Sequence, residues 1–171
     1  MLHVSSLSGL KDVAAALPSF DLLTLLSPTA EAHDWSAITM RRHVKLTFHD
    51  IVALTPGLVA PDHAIMQAVL DFGREAEVSR PMLIHCWAGI SRSSAAAYII
   101  ACDRNPGHED AIADELRRRS PSATPNRLMV EIADDVLSRG GRMVDAVARI
   151  GRGAEAFEGA PYQMPLTWPM R

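Results

Sequence analysis

The sequence predicts an α/β fold in a single domain, with a central, mostly parallel sheet of about four to five strands flanked by helices. Short apolar runs of strand length alternate along the chain with segments of helical spacing. The 171 residues are a usual length for one domain, and no internal repeat or linker divides them. With 48% hydrophobic residues, the chain can bury a well-covered core.

Residues 1–60 contain three candidate strands and a helix. Residues 2–4 are short and largely apolar and are expected to open the sheet, whereas residues 9–17 are typical of a short helix ended by Pro18. The apolar run 20–26 is bounded by prolines and predicts a buried strand. Residues 44–48 alternate between apolar and polar side chains, which also predicts a strand.

From residue 61 onward the chain is mainly helical, because apolar or small residues recur there at helical spacing. Helices are predicted over 61–77, 92–103, 108–119, 125–139 and 143–150. Residues 1–150 are expected to form the domain. The remaining segment, 151–171, contains glycines and three prolines and is expected to be an extended tail that is either packed on the domain or loose.

Charge and targeting signals restrict the classes of partner. A formal net charge of -3 provides no basic field for nucleic acid or an anionic membrane. The first residues lack the basic start and apolar run of a signal peptide, and no stretch approaches the roughly 18 apolar residues that span a membrane. We therefore expect a cytoplasmic protein that binds neither nucleic acid nor membrane.

One segment combines the elements of an anion site. The apolar strand 82–85 leads to Cys86, five residues follow that include Gly89, and an alanine-rich helix begins at Arg92. A helix start presents unpaired N–H groups and the positive end of the dipole, which together bind anions. Glycine permits the tight turn, and an arginine fork binds two oxygens of a phosphate at once.

The same arrangement would activate the cysteine. A helix N-terminus and a nearby cation favour the thiolate form, which is the nucleophilic one. Cys86 would then attack the phosphorus atom that the loop holds. The predicted phosphate-binding residues are Trp87, Ala88, Gly89, Ile90, Ser91 and Arg92.

At these residues the chain resembles a known family. The segment His85-Cys86-x5-Arg92-Ser93 resembles the signature of protein tyrosine phosphatases. The sequence from Ile84 to Ser93 is similar to that of a bacterial group of predicted tyrosine phosphatases. The positions that match the dual-specificity branch are Gly89, Ser91, Arg92 and Ser93. The resemblance implies a phosphatase-like fold, a phosphocysteine intermediate and no metal or other cofactor.

The resemblance also implies roles for single residues. Cys86 and Arg92 match the family's nucleophile and phosphate clamp. Ser93 matches the hydroxyl that stabilises the departing thiolate, and His85 matches the residue that orients the nucleophile from behind. The turn that ends at Asn126 is similar to the family's proline-asparagine turn, so Asn126 either supports the phosphate loop or caps the next helix.

The family takes the proton for the leaving group from an aspartate on an upstream loop, and two residues are candidates. Asp50 follows the strand 44–48 and precedes a loop, a setting that fits a general acid. Asp62 stands at the head of a helix, where aspartate typically caps. Asp50 is the preferred candidate, and Asp62 stays open.

Three further features have simpler interpretations. Trp87 either lines the pocket wall or packs under the loop, and packing is the preferred interpretation. Cys102 lies on the helix after the loop and is interpreted as a small core residue, with a redox partner of Cys86 as the alternative. The seven histidines show no convincing metal-ligand spacing, so no metal site is predicted.

These observations lead to one main functional hypothesis. The protein would hydrolyse phosphotyrosine in phosphorylated protein substrates, with phosphoserine and phosphothreonine as further candidates. One alternative is a phosphatase-like module that binds phosphate with little turnover. The other is an enzyme for a different oxyanion, such as arsenate. The sequence does not indicate an oligomeric state.

Overall fold

A five-stranded sheet forms the centre of the computed structural model, which describes residues 1–30, 33–77 and 79–168. The strands are β1 (Leu2–Ser5), β2 (Asp21–Leu26), β3 (Arg42–Thr47), β4 (Met82–His85) and β5 (Tyr162–Met164). They are arranged in the order β3-β2-β4-β1-β5, and every neighbouring pair is parallel except β1 and β5. The predicted α/β class with a mostly parallel sheet is confirmed.

Helices cover both faces of this sheet. They are α1 (Leu10–Ala15), α2 (His63–Glu75), α3 (Arg92–Arg104), α4 (Glu109–Arg119), α5 (Arg127–Val136) and α6 (Arg142–Ile150). Strands β1, β2 and β4 are buried at every position, which explains their continuous apolar sequences. Strand β3 lies at the sheet edge and is partly exposed, in agreement with its alternating pattern.

Helix α3 is the central helix of the larger core. It is buried from Arg92 to Cys102 and contacts α2, α4, α5 and the sheet. Small side chains over 93–97 allow this close packing on several sides. The smaller core, on the other face of the sheet, is formed by α1 together with Phe20, Leu22 and Leu83.

The C-terminal segment lies against the domain over its described length, residues 151–168. Strand β5 pairs antiparallel with β1. The side chain of Asn105 donates to the carbonyl of Leu166 at 3.0 Å and accepts from the N–H of Trp168 at 2.9 Å. The local sequence did not predict strand β5. Residues 169–171 of the predicted tail lie outside the described residues.

The carboxyl ends of the four parallel strands meet at one edge of the sheet. The residues that follow them are Ser6 after β1, Ser27 after β2, Phe48 after β3 and Cys86 after β4. In open α/β sheets this edge is where ligands usually bind. The topology therefore brings three other parts of the chain to the segment that the sequence identified as an anion site.

Strand β5 contains Tyr162, and the effect of its buried hydroxyl on stability can be tested. Within the described residues, the Tyr162 hydroxyl is buried and has no hydrogen-bond partner. Burial raises the pKa of Tyr162, and the nearby Cys86 raises it further. We expect Tyr162→Phe to leave the free energy of unfolding unchanged or to raise it by up to about 1 kcal/mol, because it removes an unsatisfied polar group. Chemical denaturation measures this change.

Tyr98 provides the matched control. Its hydroxyl is buried and lies 3.3 Å from the carbonyl of Glu109 and 3.2 Å from that of Met143. Tyr98→Phe leaves these carbonyls without that donor and is expected to lower the free energy of unfolding by about 1–3 kcal/mol. An equal loss in both variants would mean that the Tyr162 hydroxyl does have a partner.

Candidate active site

The loop between β4 and α3 has its carbonyl groups turned outwards. Backbone N–H groups from three other parts of the chain donate to them. The pairs are Leu7 to Trp87 at 3.0 Å, Gly159 to Ala88 at 2.9 Å, Thr124 to Ile90 at 3.0 Å and Asn126 to Ser91 at 3.3 Å. In a trans peptide the N–H of the following residue points away from the direction of the carbonyl, and the described residues contain no cis peptide. The N–H groups of residues 88, 89, 91 and 92 therefore face the inner side of the loop.

Gly89 makes this turn possible. Its φ angle is +72°, a left-handed conformation that costs other residues energy. A Cβ atom at this position would lie 2.8 Å from the backbone nitrogen of Ser6, closer than any normal contact. The loop thus closes against the residues after β1, and only glycine fits there.

Cys86 lies at the base of the loop and is only 2% exposed. Its Sγ accepts a hydrogen bond from the Gly89 N–H at 3.3 Å. Ser93 Oγ lies 3.2 Å from the same sulfur, on the first turn of α3. A hydroxyl and an N–H that both reach the sulfur can stabilise a thiolate, both before attack and when it leaves.

Behind Cys86, a chain of hydrogen bonds holds His85. His85 Nδ1 lies 3.4 Å from the Cys86 carbonyl oxygen, and its Nε2 lies 2.8 Å from Thr24 Oγ1. The same Thr24 oxygen lies 2.8 Å from His43 Nε2. Burial lowers the pKa of His85 to about 4, and burial with the charge of Lys45 lowers the pKa of His43 to about 4. Both rings are neutral at pH 7, so this chain orients the loop without placing a charge behind the sulfur.

Sequence reasoning missed Thr24 and His43. They lie on β2 and β3, and the sheet register sets Thr24 opposite His85. The signal that was available is the hydroxyl of Thr24 in the middle of the apolar run 20–26, since a buried hydroxyl needs a hydrogen-bond partner.

Arg92 is 4% exposed, and its guanidinium is anchored on one side. Its Nη1 donates to the Phe48 carbonyl at 2.8 Å and to Ser27 Oγ at 3.1 Å. Its Nε lies 3.8 Å from Asp50 Oδ2. The ends of β2 and β3 thus fix the orientation of the arginine at the start of α3.

Asp50 lies beside the loop and is held by two donors. Its Oδ1 accepts from the Ser91 hydroxyl at 2.7 Å and from Asn126 Nδ2 at 2.7 Å. Asn126 also caps α5 by accepting from the N–H of Met129 at 3.0 Å, so it both supports the loop and caps the helix. Asp62 instead caps α2 by accepting from the N–H of Ile65 at 2.8 Å. The structure therefore places Asp50, and not Asp62, at the site.

A hollow of about 270 Å³ lies over the loop. It is lined by Asp50, Cys86, Trp87, Ala88, Ile90, Ser91, Arg92, Ala156 and Phe157. Cys86 and Arg92 thus share one cavity, and Asp50 forms part of its wall. Ala156 and Phe157 come from the C-terminal segment, and nothing in their local sequence indicated a place in the site.

Two side chains near the loop correct or clarify the sequence interpretation. The preferred interpretation of Trp87, packing under the loop, is wrong, because its side chain is 52% exposed and lines the hollow. Cys102 is fully buried in α3, and burial raises the pKa of its thiol. It therefore packs as a core residue.

Neither a metal-binding cluster nor a membrane-spanning helix is found in the part of the chain that the structure describes. Its His, Cys, Asp and Glu side chains do not gather in any group of three or more that could hold a metal ion. None of its helices has the length and apolar character needed to cross a membrane.

Solved structures with a similar fold define the structural class. Tk-PTP in its active form is 18% identical, with a TM-score of 0.53, and the match covers 77% of this chain and 86% of Tk-PTP. DUSP15 is 14% identical, with a TM-score of 0.56 and coverage of 86% and 90%. No family model and no curated protein matches the sequence. The chain therefore has the fold of the tyrosine and dual-specificity phosphatases.

Proposed function

We propose that this protein is a cysteine-dependent phosphatase that removes phosphate from phosphotyrosine in protein substrates. The observation that carries the proposal is the geometry of the loop 86–92. Its carbonyls accept hydrogen bonds from N–H groups outside the loop, and Cys86 and Arg92 line one hollow on its inner side. Inward N–H groups, a guanidinium and the start of a helix together suit a single phosphate dianion. The proposed enzyme needs no metal and acts in the cytoplasm.

The first step would transfer the phosphoryl group to sulfur. The Cys86 thiolate attacks phosphorus and forms an S–P bond while the bond from phosphorus to the leaving oxygen breaks. Arg92 and the loop N–H groups bind the non-bridging oxygens through this step. Protonated Asp50 gives its proton to the leaving oxygen, so the products are a free tyrosine and the phosphocysteine.

The second step would release phosphate. Asp50, now a carboxylate, takes a proton from a water molecule that attacks phosphorus. The S–P bond breaks, inorganic phosphate leaves, and the thiolate returns to its contacts with Gly89 and Ser93. Because Ser91 and Asn126 both donate to Asp50 Oδ1, the proton that is transferred resides on Oδ2.

The catalytic unit would include more than residues 1–150. Gly159 donates to the loop, and Ala156 and Phe157 line the hollow, so we infer that residues 151–168 belong to the working domain. An Asp50 in the wall of the hollow favours turnover over a module that only binds phosphate. Activity on phosphotyrosine, phosphoserine and phosphothreonine peptides, with arsenate as a separate substrate, tests the proposed substrate class.

Replacing Asp50 by asparagine tests the proton donor. We expect kcat/KM for phenyl phosphate to fall by about 10²–10⁴-fold, because asparagine cannot give a proton to the leaving oxygen in the first step. The loss should be much smaller for p-nitrophenyl phosphate, whose leaving group departs without a proton. Steady-state kinetics with the two substrates measures this difference.

Asp62→Asn is the matched control. Asparagine caps helices about as well as aspartate, so α2 and the rate should both stay nearly unchanged. The assignment of Asp50 as proton donor would be contradicted by either of two results. One is an equal loss of rate in Asp62→Asn and Asp50→Asn. The other is a wild-type rate on phenyl phosphate in Asp50→Asn.

A further inference from the structure

Two aromatic rings stand at the mouth of the hollow. Trp87 is 52% exposed and Phe157 is 82% exposed. Their ring centroids lie 5.4 Å apart with an interplanar angle of 79°, an edge-to-face contact. Both side chains line the same cavity as Cys86. A loop residue and a residue about 70 positions later, on the C-terminal segment, thus form one aromatic wall.

Folding alone gives little reason for this wall. An edge-to-face pair stabilises a fold only modestly, and most of Phe157 stays in water. Exposed apolar surface next to a pocket is typical of a binding site. The pair is therefore placed where a ligand in the hollow would cover it.

The backbone on both sides of Phe157 is fixed to the domain. On one side the N–H of Ala154 donates to the Pro121 carbonyl at 2.9 Å. On the other, the N–H of Gly159 donates to the Ala88 carbonyl at 2.9 Å, and a Cβ at Gly159 would lie 3.2 Å from the Gly89 oxygen. Phe157 thus has a set position relative to the loop, although its own side chain is not buried.

The depth of the nucleophile limits which part of a substrate reaches this wall. Cys86 is 2% exposed, so a bound phosphate lies at the base of the hollow and the group that carries it occupies the mouth. In phosphotyrosine that group is a flat aromatic ring. In phosphoserine or phosphothreonine it is a short aliphatic stem, which offers far less surface to two rings.

The charges of the hollow fit a single phosphate. Among its described lining residues Arg92 is the one cation and Asp50 the one acidic group. A substrate with several phosphates would find no further cation in this lining. The apolar mouth and the single basic group together match an aryl phosphomonoester.

On the basis of the proposed function, we propose that Trp87 and Phe157 form an aryl-binding wall that selects phosphotyrosine over phosphoserine and phosphothreonine. Phe157 is then a specificity residue supplied by the C-terminal segment. It contacts the tyrosyl ring and takes no part in the chemistry at phosphorus.

Replacing Phe157 by alanine tests the wall. The ratio of kcat/KM for a phosphotyrosine peptide to that for a phosphothreonine peptide of the same flanking sequence should fall about tenfold, mainly through KM of the phosphotyrosine peptide. Phe157→Tyr keeps a ring and should restore the ratio. Leu54→Ala removes an equally exposed apolar side chain, 83% exposed, that does not line the hollow, and it should leave the ratio unchanged.

The outcomes separate this inference from the proposed function. If the wild-type protein hydrolyses phosphotyrosine and Phe157→Ala leaves the ratio within twofold of the wild type, the aryl wall is refuted while the phosphatase assignment stands. If the wild-type protein hydrolyses no phosphomonoester, the proposed function fails. In that case the affinities of the two peptides are measured for Cys86→Ser and for Cys86→Ser with Phe157→Ala. A tenfold loss of affinity for the phosphotyrosine peptide alone supports the aryl wall. Equal affinities in the two variants, or no binding, overturn it.

Discussion

Cys86→Ser is expected to abolish turnover, with kcat for p-nitrophenyl phosphate reduced on the order of 10⁴–10⁶-fold. A serine hydroxyl is not ionised at neutral pH. Among the described residues, the hydrogen-bond partners of the Cys86 sulfur are the Gly89 N–H and the Ser93 hydroxyl, and neither is a base that could remove the serine proton. Steady-state kinetics measures the loss.

The same variant should still bind phosphate. The inward N–H groups are held by carbonyl contacts to Leu7, Thr124, Asn126 and Gly159, none of which involves the sulfur. Titration calorimetry with inorganic phosphate is expected to give a dissociation constant within about tenfold of the wild type. Loss of binding together with turnover would mean that the sulfur holds the loop in shape.

Cys102→Ala provides the control for the thiol. Cys102 is fully buried in α3, so this variant should lower stability slightly and leave kcat near the wild-type value.

Acid-quenched wild-type protein should also carry a phosphorylated Cys86 in mass spectrometry. Turnover that persists in Cys86→Ser would refute the assigned nucleophile.

The second large effect is expected for Arg92→Lys. Nη1 of Arg92 is already engaged with the Phe48 carbonyl and with Ser27, while the planar fork leaves other N–H groups for phosphate. A lysine ammonium has a single centre and cannot keep both sets of contacts. We expect kcat/KM to fall about 10³-fold or more, since arginines that stabilise a transferring phosphoryl group contribute effects of that size.

Arg74→Lys is the matched control. Arg74 also makes a two-point contact, with Asp103 at 2.8 Å for both bonds, but at the protein surface. This variant should keep its activity and lose at most about 1 kcal/mol of stability. Circular dichroism verifies that Arg92→Lys is folded. A folded Arg92→Lys variant with activity within tenfold of the wild type would contradict the proposed clamp.

The sequence alone determined the fold class and the position of the anion loop. Strand 82–85, the spacing from Cys86 to Arg92 and the buried helix after it lie within about twenty consecutive residues, so periodicity and residue type are enough to predict them. The resemblance to tyrosine phosphatases rests on the same residues. The roles it implies for Ser93 and His85 stay predictions, although the structure places both beside Cys86.

Only the tertiary structure decided which other residues reach the loop. Sequence left Asp50 and Asp62 as alternatives, and the packing of α5 brought Asn126 to Asp50 while Asp62 became a cap. The tertiary structure also turns Trp87 outwards and adds Phe157 to the lining of the hollow. These contacts join residues tens of positions apart. Their geometry depends on how strands and helices pack in three dimensions, which local patterns do not record.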